Sequence, residues 1–272
     1  MAAGRKSLTL GLLVQHFVLL QGAKILTVTF LGGSHYLWMD GISRILHNHG
    51  NEVTMFRQIA DGLLPGKYYQ MQESPYRLVT WSLDENYLKE YGEFFRDSKY
   101  NFKGSDELSS YLGLFTHLSR QCKMIFNQTS ILNLLKEEKY DIAVIDSFNP
   151  CSFLASEKLG IPFIATHPFA VKSPWHSGIP NLLSIMPAYQ SQLSDHMNFF
   201  ERVKNVFFYI DSAVLEYKIH SLFDDVIEEH FPVGSRPSFA ELYKKAALWM
   251  YNTDFTIEFP HAFFPNVLYI GG

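Results

Sequence analysis

The amino-acid sequence predicts an α/β fold in which an open, largely parallel sheet carries flanking helices. Two observations predict it. Apolar β-rich segments alternate with segments of helical apolar spacing, and two strand–helix–strand units can be recognised within residues 24–56 and 140–166. Because such a unit places its two strands parallel, with the helix crossing one face, repeated units build a parallel sheet.

The first unit begins at Lys24–Leu31, whose sequence KILTVTFL is typical of a buried strand. A tight loop, Gly32–His35, follows this strand. Tyr36–His49 then shows the apolar spacing of a helix, and Gly50 suits the position after its end, where a positive φ costs glycine little. Asn51–Phe56 is predicted to be the second strand.

The second unit follows a long intervening region. Residues 57–100 are expected to be irregular because they are polar, aromatic and rich in turn signals, and residues 107–139 are expected to form two helices. A strand is predicted at Tyr140–Ile145, ending at Asp146. A helix is predicted at Pro150–Lys158, with proline near its start, and a further strand at Ile161–Thr166.

The remainder of the chain is expected to continue the same alternation. Residues 168–187 are rich in proline and predict a loop, and residues 194–230 predict largely helical structure. Two short strands are predicted at residues 248–251 and 267–270, and no internal repeat is evident.

Composition excludes several classes of protein. The 272 residues carry a formal net charge of −4 and a sequence pI of about 6.2, which argues against a nucleic-acid-binding protein. Charged residues make up 18% of the chain, with 17 Gly and 12 Pro, so a disordered or collagen-like chain is also excluded. Cys122 and Cys151 cannot build a disulfide scaffold. They could pair in an oxidising compartment, but the sequence does not show their distance.

The amino terminus has the character of a targeting segment. Residues 1–23 combine the basic Arg5 and Lys6, an apolar stretch at Leu8–Leu20 and small residues at the end, which predicts a secretory signal peptide. The alternative is an uncleaved amino-terminal anchor. A sequon at Asn127-Gln128-Thr129 is a possible N-glycosylation site and agrees with the secretory route.

Two polar residues follow strands at the edge of the sheet where α/β proteins place their sites. His35 comes just after the first strand, and Asp146 ends the strand of the second unit. A histidine beside a carboxylate is suited to general-base chemistry, because the carboxylate orients the ring and stabilises the imidazolium. The pairing is a hypothesis at this level. The alternatives are a structural histidine and an aspartate that caps a helix or forms a turn.

Other kinds of chemistry have weaker signals. The Gly32–Tyr36 segment lacks the second glycine of a nucleophile elbow, which disfavours a serine hydrolase, and the chain has neither a G-x-G-x-x-G motif nor a Walker loop. His47 and His49 lie two residues apart and so do not share a helix face. With no third ligand evident, no metal site and no cofactor are predicted.

The motifs around these residues resemble the amino-terminal half of the animal UDP-glycosyltransferases, the UDP-glucuronosyltransferase superfamily. The resemblance runs from about residue 23 to residue 272 and looks closest to the 3A branch. The segments that carry it are Ala23–Leu26, Gly33–Leu37, Gly50–Thr54, Tyr140–Asp146 with Pro150-Cys151, Ala155–Gly160, Ser194–Met197, Glu201–Asn205, Glu229–Pro232, Gly234–Pro237, Ala247–Met250 and Pro265–Gly272.

This resemblance implies a Rossmann-like, acceptor-binding N-terminal domain of a GT-B glycosyltransferase, occupying residues 24–272 after the signal peptide. It implies that His35 is the base that deprotonates an acceptor hydroxyl, that Asp146 is its partner, and that the sugar is transferred with inversion. Gly33 and Ser34 are candidates for contacts with the donor phosphate. The implied donor is a UDP-sugar, which in this branch includes UDP-N-acetylglucosamine and UDP-glucose beside UDP-glucuronate.

The resemblance also implies partners and a location. The acceptor is expected to be a small lipophilic hydroxyl compound, such as a steroid, bile acid, phenol or xenobiotic. The endoplasmic reticulum lumen is the expected compartment. Met197–Ile210 is expected either to pack in the core or to contact the lumenal membrane surface, and homo- or hetero-oligomers with family members are possible.

The family pattern continues into a UDP-sugar domain, a transmembrane anchor and a basic tail, for which these 272 residues have no counterpart. The chain is therefore expected to be a truncated form, a fragment or an incomplete gene model that is inactive alone. The alternative function is a non-catalytic acceptor-binding or regulatory module that associates with full-length relatives.

Overall fold

The computed structural model of the chain describes most of the sequence from residue 22 onward, so most of the predicted signal peptide lies outside the described residues. The described residues are 22–59, 74–101, 107–169, 173, 175–189, 191–259 and 261–271. All structural statements below concern these residues.

A parallel sheet of seven strands forms the centre of the described chain, in the order β3-β2-β1-β4-β5-β6-β7. Every neighbouring pair of strands in this order is parallel. The strands are β1 (Lys24–Thr29), β2 (Glu52–Ile59), β3 (Arg77–Ser82), β4 (Ile142–Asp146), β5 (Phe163–His167), β6 (Leu248–Tyr251) and β7 (Val267–Tyr269).

Helices follow β1, β3, β4 and β5, which confirms the predicted α/β class. They are α1 (Ser34–Asn48), α2 (Glu85–Asn101), α3 (Glu107–Phe126), α4 (Thr129–Glu137), α5 (Pro150–Leu159), α6 (Phe199–Ser221), α7 (Asp224–His230) and α8 (Phe239–Lys245). Within the part of the chain that the structure describes, no helix is both long and apolar enough to cross a membrane.

The order of the strands reverses direction between β1 and β4. From β1 the sheet grows one way to β2 and β3, and from β4 it grows the other way to β5, β6 and β7. The connections after β1 and β4 therefore leave on opposite sides of the sheet, and a crevice opens between them at the carboxyl ends of the strands. Such a switch point is where open α/β sheets bind their ligands.

The two faces of the sheet have separate apolar cores. In β1, Leu26 and Val28 belong to the larger core, while Ile25 packs in a smaller core with Met39 of α1. The period of two in a strand explains this division, because successive side chains point to opposite faces. A hydrogen bond of 2.8 Å between the buried hydroxyls of Thr27 and Ser43 also links β1 to α1.

One disulfide bond lies in the larger core. Cys122 of α3 and Cys151 of α5 are bonded, with their Cα atoms 5.5 Å apart, and both residues are fully buried. The sequence left this pairing open, and the structure shows it. The bond joins α3 to the first turn of the helix that directly follows β4.

The prediction of an irregular segment at residues 57–100 was wrong for much of that segment. Strand β2 extends to Ile59, β3 pairs with it, and α2 follows, while residues 60–73 lie outside the described residues. Tyr87 and Tyr91 are buried one helical turn apart on α2. The polar residues between these aromatic side chains hid the apolar face of the helix.

Two helix ends show how local sequence sets the remaining boundaries. Asn149 caps α5 by accepting a hydrogen bond from the Cys151 amide, Pro150 occupies the first turn, and Gly160 ends the helix with φ of 71°. Helix α8, which the sequence analysis did not predict, begins with a capping box between Ser238 and Glu241.

Candidate active site

His35 lies in the first turn of α1, directly after the loop that leaves β1. Gly33 is the residue before the helix and has φ of 68°, a conformation that side chains with a Cβ rarely adopt. This turn lets the chain reverse from the strand into the helix within a few residues. The His35 side chain is consequently buried at the carboxyl end of β1.

Asp146 ends β4, the neighbour of β1 in the sheet, and is fully buried. Its Oδ2 atom lies 2.7 Å from Nδ1 of His35, although the two residues are 111 positions apart in the sequence. The backbone amide of Phe148 donates to Oδ1 at 3.1 Å, and the Thr29 hydroxyl donates to Oδ2 at 3.4 Å. The structure thus brings together the two residues that the sequence selected.

This geometry fixes the chemistry available to His35. An ionised carboxylate can only accept hydrogen bonds, so Nδ1 of the neutral imidazole carries the proton that Asp146 accepts. The lone pair then belongs to Nε2, the position from which an imidazole abstracts a proton. When Nε2 is protonated, the adjacent carboxylate stabilises the positive charge.

Aromatic rings lie against the imidazole. The His35 ring centroid is 4.9 Å from that of Phe148 and 5.8 Å from that of Phe169. Phe148 also borders a cavity of about 70 Å³ whose walls are formed by residues of β5, β6, α3, α6 and α8 and of the loops beside them. The lining is mixed: aromatic and aliphatic side chains such as Tyr111, Phe115 and Leu215 alternate with polar ones.

Several polar side chains of the cavity wall were not predicted from the sequence. The Ser147 hydroxyl lies 3.0 Å from Nδ1 of His167, which stands at the end of β5. Glu216 and His220 lie on α6, and the four-residue spacing between them was a signal that could have placed both on one helix face. His167 directly follows the strand predicted at Ile161–Thr166, so its position at a strand end was also a signal.

Another polar residue, His176, comes from the turn at residues 175–178. Its Nε2 atom lies 2.6 Å from Oε1 of Glu216, at an angle outside hydrogen-bond geometry, and Trp175 Nε1 donates to both Glu216 oxygens at 3.1 and 3.0 Å. Burial would raise the pKa of Glu216, but His176 and the Trp175 donor outweigh it and lower the pKa overall. Burial lowers the pKa of His220 to about 4.

The other predicted site residues lie at the surface or near it. Ser34 is exposed and Gly33 is half-buried, both at the amino terminus of α1. Asn127 of the sequon is exposed just after α3, so the position is accessible to a modifying enzyme. The disulfide and the position of Asn127 are compatible with the predicted secretory route, which itself stays a prediction.

Comparison with known families shows to which family the chain belongs. The model of the family described as "UDP-glucoronosyl and UDP-glucosyl transferase" matches residues 23–272. The chain belongs to this family. The resemblance that the sequence motifs indicated is therefore confirmed.

Relatives within the family match the chain along its whole length. The chain is 85% identical over 272 residues to UDP-glucuronosyltransferase 3A1 of Xenopus laevis, a match covering 100% of this chain and 52% of that protein. It is 38% identical to human UDP-glucuronosyltransferase 3A1, covering 100% of this chain and 52% of the relative. The chain thus spans about half the length of the curated relatives it matches.

Solved structures also resemble the chain. One is Phytolacca americana UGT2 complexed with UDP-2-fluoro-glucose and pterostilbene, with a TM-score of 0.46, 12% identity and coverage of 93% of this chain and 54% of that one. Another is the glycosyltransferase VinC in complex with dTDP, with a TM-score of 0.46, 12% identity and coverage of 90% and 52%.

Proposed function

We propose that this chain forms the acceptor-binding half of a UDP-glycosyltransferase, with His35 as the general base and Asp146 as its positioning partner. The observation that carries the proposal is the 2.7 Å contact between Nδ1 of His35 and the buried Asp146 carboxylate at the switch point of the sheet. Membership of the UDP-glycosyltransferase family supports the same reaction class.

The reaction follows from the position of the lone pair on His35. Nε2 takes the proton from the acceptor hydroxyl as the oxygen attacks the anomeric carbon of a UDP-sugar. The new carbon–oxygen bond forms while the bond from that carbon to the UDP oxygen breaks, and UDP leaves with the electron pair. Because the acceptor attacks from the side opposite the leaving group, the configuration inverts. The imidazolium that results is stabilised by Asp146.

The donor is a UDP-sugar, with UDP-N-acetylglucosamine, UDP-glucose and UDP-glucuronate as the candidates. Gly33 and Ser34 are proposed to contact its phosphate groups. They lie at the amino terminus of α1, where the helix dipole favours an anion, and the exposed Ser34 hydroxyl is accessible to it.

The acceptor is proposed to be a small lipophilic hydroxyl compound bound beside Phe148. This ring contacts His35 on one side and borders the cavity on the other, and it lies 5.5 Å from Phe115 between ring centroids. Aromatic walls of this kind favour an apolar ring system over a free sugar or an ion. A hydroxyl at the edge of that ring system would point towards Nε2.

His35→Ala tests the base assignment directly. The protein for this test is the Xenopus laevis relative in which the present chain replaces the corresponding 85% identical half. We expect at least a 10²-fold loss of glycoside formation with an alcohol acceptor, because general-base catalysis contributes factors of about 10² to 10⁴. Equilibrium binding of UDP should be unchanged. His49→Ala, at an exposed position after α1, is the matched control.

Turnover retained in His35→Ala would contradict the assignment of the base. Loss of UDP binding together with turnover would contradict it as well, because the substitution would then disturb the donor site. If the unsubstituted chimaera binds acceptor and UDP without forming product, the alternative of a non-catalytic acceptor-binding or regulatory module is favoured. Association with full-length relatives would then be measured by co-purification.

A second part of the proposal places the protein in the endoplasmic reticulum lumen, delivered by the signal peptide at residues 1–23 and facing the membrane through α6. The exposed apolar side chains of α6 recur every three or four residues and so form one stripe along the helix. Such a stripe suits an interfacial helix. Its members are Phe200, Val203, Phe207, Ile210, Val214 and Tyr217.

Vesicle flotation tests the membrane contact. The double substitution Phe200→Glu and Phe207→Glu should reduce binding to anionic vesicles at least 10-fold without changing the thermal unfolding temperature, since both side chains are exposed. Val233→Glu, an equally exposed apolar residue away from α6, is the control and should float as the unsubstituted protein does. Equal flotation of all three proteins would contradict the membrane-facing role of α6.

A further inference from the structure

His176, Glu216 and His220 converge on the wall of the cavity, and the proposed transfer reaction does not use them. One ligand atom from each of the three side chains lies within 4.8 Å of the others. Glu216 and His220 share a face of α6, and His176 approaches from the turn at residues 175–178. The helix and the turn thus bring two imidazoles and one carboxylate close together.

The contact between His176 and Glu216 differs from an ordinary ion pair. The two atoms are 2.6 Å apart, yet Nε2 of His176 is buried and makes no hydrogen bond of acceptable geometry. Side chains that aim at a common point, rather than at each other, give this combination of a short distance and poor alignment. Metal ligands have that arrangement.

Neighbouring groups hydrogen-bond to two of the three ligands, as is usual around metal sites in proteins. Trp175 Nε1 donates to the Glu216 carboxylate, and the Tyr243 hydroxyl lies 2.7 Å from Nε2 of His220. When Nε2 of His220 donates to that hydroxyl oxygen, Nδ1 keeps the lone pair that a metal requires. A ligating histidine typically donates its other ring N–H in this way.

The identity of the ligands selects the class of ion. Two imidazole nitrogens and one carboxylate oxygen form a set that binds zinc in proteins, whereas calcium and magnesium prefer sites made of oxygen alone. We propose that His176, Glu216 and His220 form a site for a Zn²⁺-type transition-metal ion whose fourth position opens into the cavity. A water molecule, or an oxygen or nitrogen atom of a bound small molecule, completes the coordination.

Binding requires a small adjustment. Ligand atoms about 2.1 Å from a tetrahedral zinc ion stand about 3.4 Å from each other, so His176 and Glu216 must separate by less than about 1 Å. The turn that carries His176 can supply this movement, since the half-exposed Trp175 and Gly178, with φ of 73°, flank it.

Titration of the metal-free full chain with Co²⁺ tests the site without reference to sugar transfer. Cobalt in a tetrahedral site with nitrogen ligands gives visible absorption bands, which should saturate at one equivalent and disappear when Zn²⁺ is added. His220→Gln and Glu216→Gln conserve the size of the side chain and should each weaken Zn²⁺ binding at least 10-fold. Trp175→Phe should weaken binding about 10-fold through the carboxylate that it holds.

The matched control is His196→Gln, because His196 is an almost fully exposed histidine beside Asp195 and lies outside the site. It should bind Zn²⁺ as the unsubstituted chain does. Absence of a saturable cobalt spectrum in the unsubstituted chain would overturn the proposal. So would a spectrum that survives both His220→Gln and Glu216→Gln, or one that His196→Gln removes. Circular dichroism of each variant separates loss of ligands from loss of fold.

Discussion

Two histidine–carboxylate pairs of the protein have similar N–O distances but differ in burial, in alignment and in the groups that support them. His35 and Asp146 are 2.7 Å apart with side chains 7% and 0% exposed, whereas His176 and Glu216 are 2.6 Å apart with side chains 21% and 17% exposed. The first pair is hydrogen-bonded and joins the first turn of α1 to the end of β4. The second joins a turn to a helix and is not aligned. The distance between a histidine and a carboxylate therefore does not by itself identify a general base. The groups that hydrogen-bond to the pair identify it.

The support of the first pair comes from the sheet itself. Asp146 accepts hydrogen bonds from the Phe148 amide and the Thr29 hydroxyl, and both donors belong to the strands or the loop that carry the pair. These bonds fix the carboxylate in one orientation and so fix the tautomer of His35. The carboxylate of Glu216 is instead held by an indole, Trp175, that is itself half-exposed.

Removing each carboxylate charge gives the largest expected contrast. In the chimaeric enzyme, Asp146→Asn should lower the rate of glycoside formation about 10³- to 10⁴-fold, because the amide donor favours the wrong tautomer of the histidine. Glu216→Gln should lower it less than about 10-fold, since that carboxylate does not touch His35. Initial rates at saturating donor and acceptor measure both. Losses of similar size would show that the two pairs act together.

Loss of the disulfide should weaken the fold around the first pair. Replacing both Cys122 and Cys151 by alanine opens a loop with a sequence separation of 29 residues, which should cost about 3 kcal/mol of unfolding free energy. Thermal unfolding followed by circular dichroism measures the change. A reducing agent should lower the stability of the unsubstituted chain and leave the double variant unaffected. An unchanged unfolding temperature in both comparisons would contradict a stabilising role.

Thr29→Val should have a smaller effect on the first pair. It removes the 3.4 Å hydrogen bond to Asp146 and keeps the shape of the side chain, so a loss of about 1 kcal/mol, or roughly 5-fold in rate, is expected. The binding constant for the acceptor should not change, since the Thr29 hydroxyl contacts the Asp146 carboxylate and, at 3.2 Å, the Leu31 carbonyl oxygen. Comparison of initial rates with acceptor binding separates the two effects. A change confined to acceptor binding would show that Thr29 contacts the acceptor instead.

The smallest effect on stability is expected for a further histidine, His117, which is buried and only weakly influenced by a carboxylate. His117 of α3 lies 3.0 Å from the Tyr87 hydroxyl, and burial lowers its pKa. The unfolded chain therefore binds a proton that the folded chain resists. This contribution to stability is complete above the unfolded pKa of about 6.5 and declines as the pH falls below it.

Urea unfolding between pH 7.5 and pH 5 measures this contribution. His117→Asn should make the free energy of unfolding less dependent on pH in this range, although the variant is less stable at every pH. His196→Gln is the control. It replaces an exposed histidine and should leave the pH dependence of the free energy of unfolding unchanged. An unchanged slope in His117→Asn would assign the pH dependence to other groups.

The sequence was sufficient for the parts of the fold that local pattern determines. Strands β1 and β4 and helix α1 were predicted, because their apolar residues follow the strand and helix periods closely. Strand β3 was missed because it is short and begins and ends with polar residues, and helix α2 was missed because charged residues separate its inward Tyr87 and Tyr91. The pairing of β3 with β2 is a long-range contact, and no local pattern encodes it.

The residues of the candidate site likewise divide into those that the sequence could predict and those that it could not. His35 and Asp146 could be predicted because the rule that sites lie at the carboxyl ends of strands needs only the positions of the strands. His176 could not, because it lies in a turn whose path depends on packing against α6 and α8. The contact with Tyr243, whose ring centroid is 4.1 Å from that of His176, illustrates this dependence.

Because β1 and β4 are neighbours in the sheet, the proposed base and its partner meet only when these two strands have paired. The two halves of the pair lie 111 residues apart and meet only when these strands pair in register, with Val28 opposite Ile145. A chain that has formed every helix but has not paired these strands holds an isolated histidine and an isolated aspartate. The proposed base and its partner are therefore assembled by a long-range step of folding, and neither residue has its proposed role before that step.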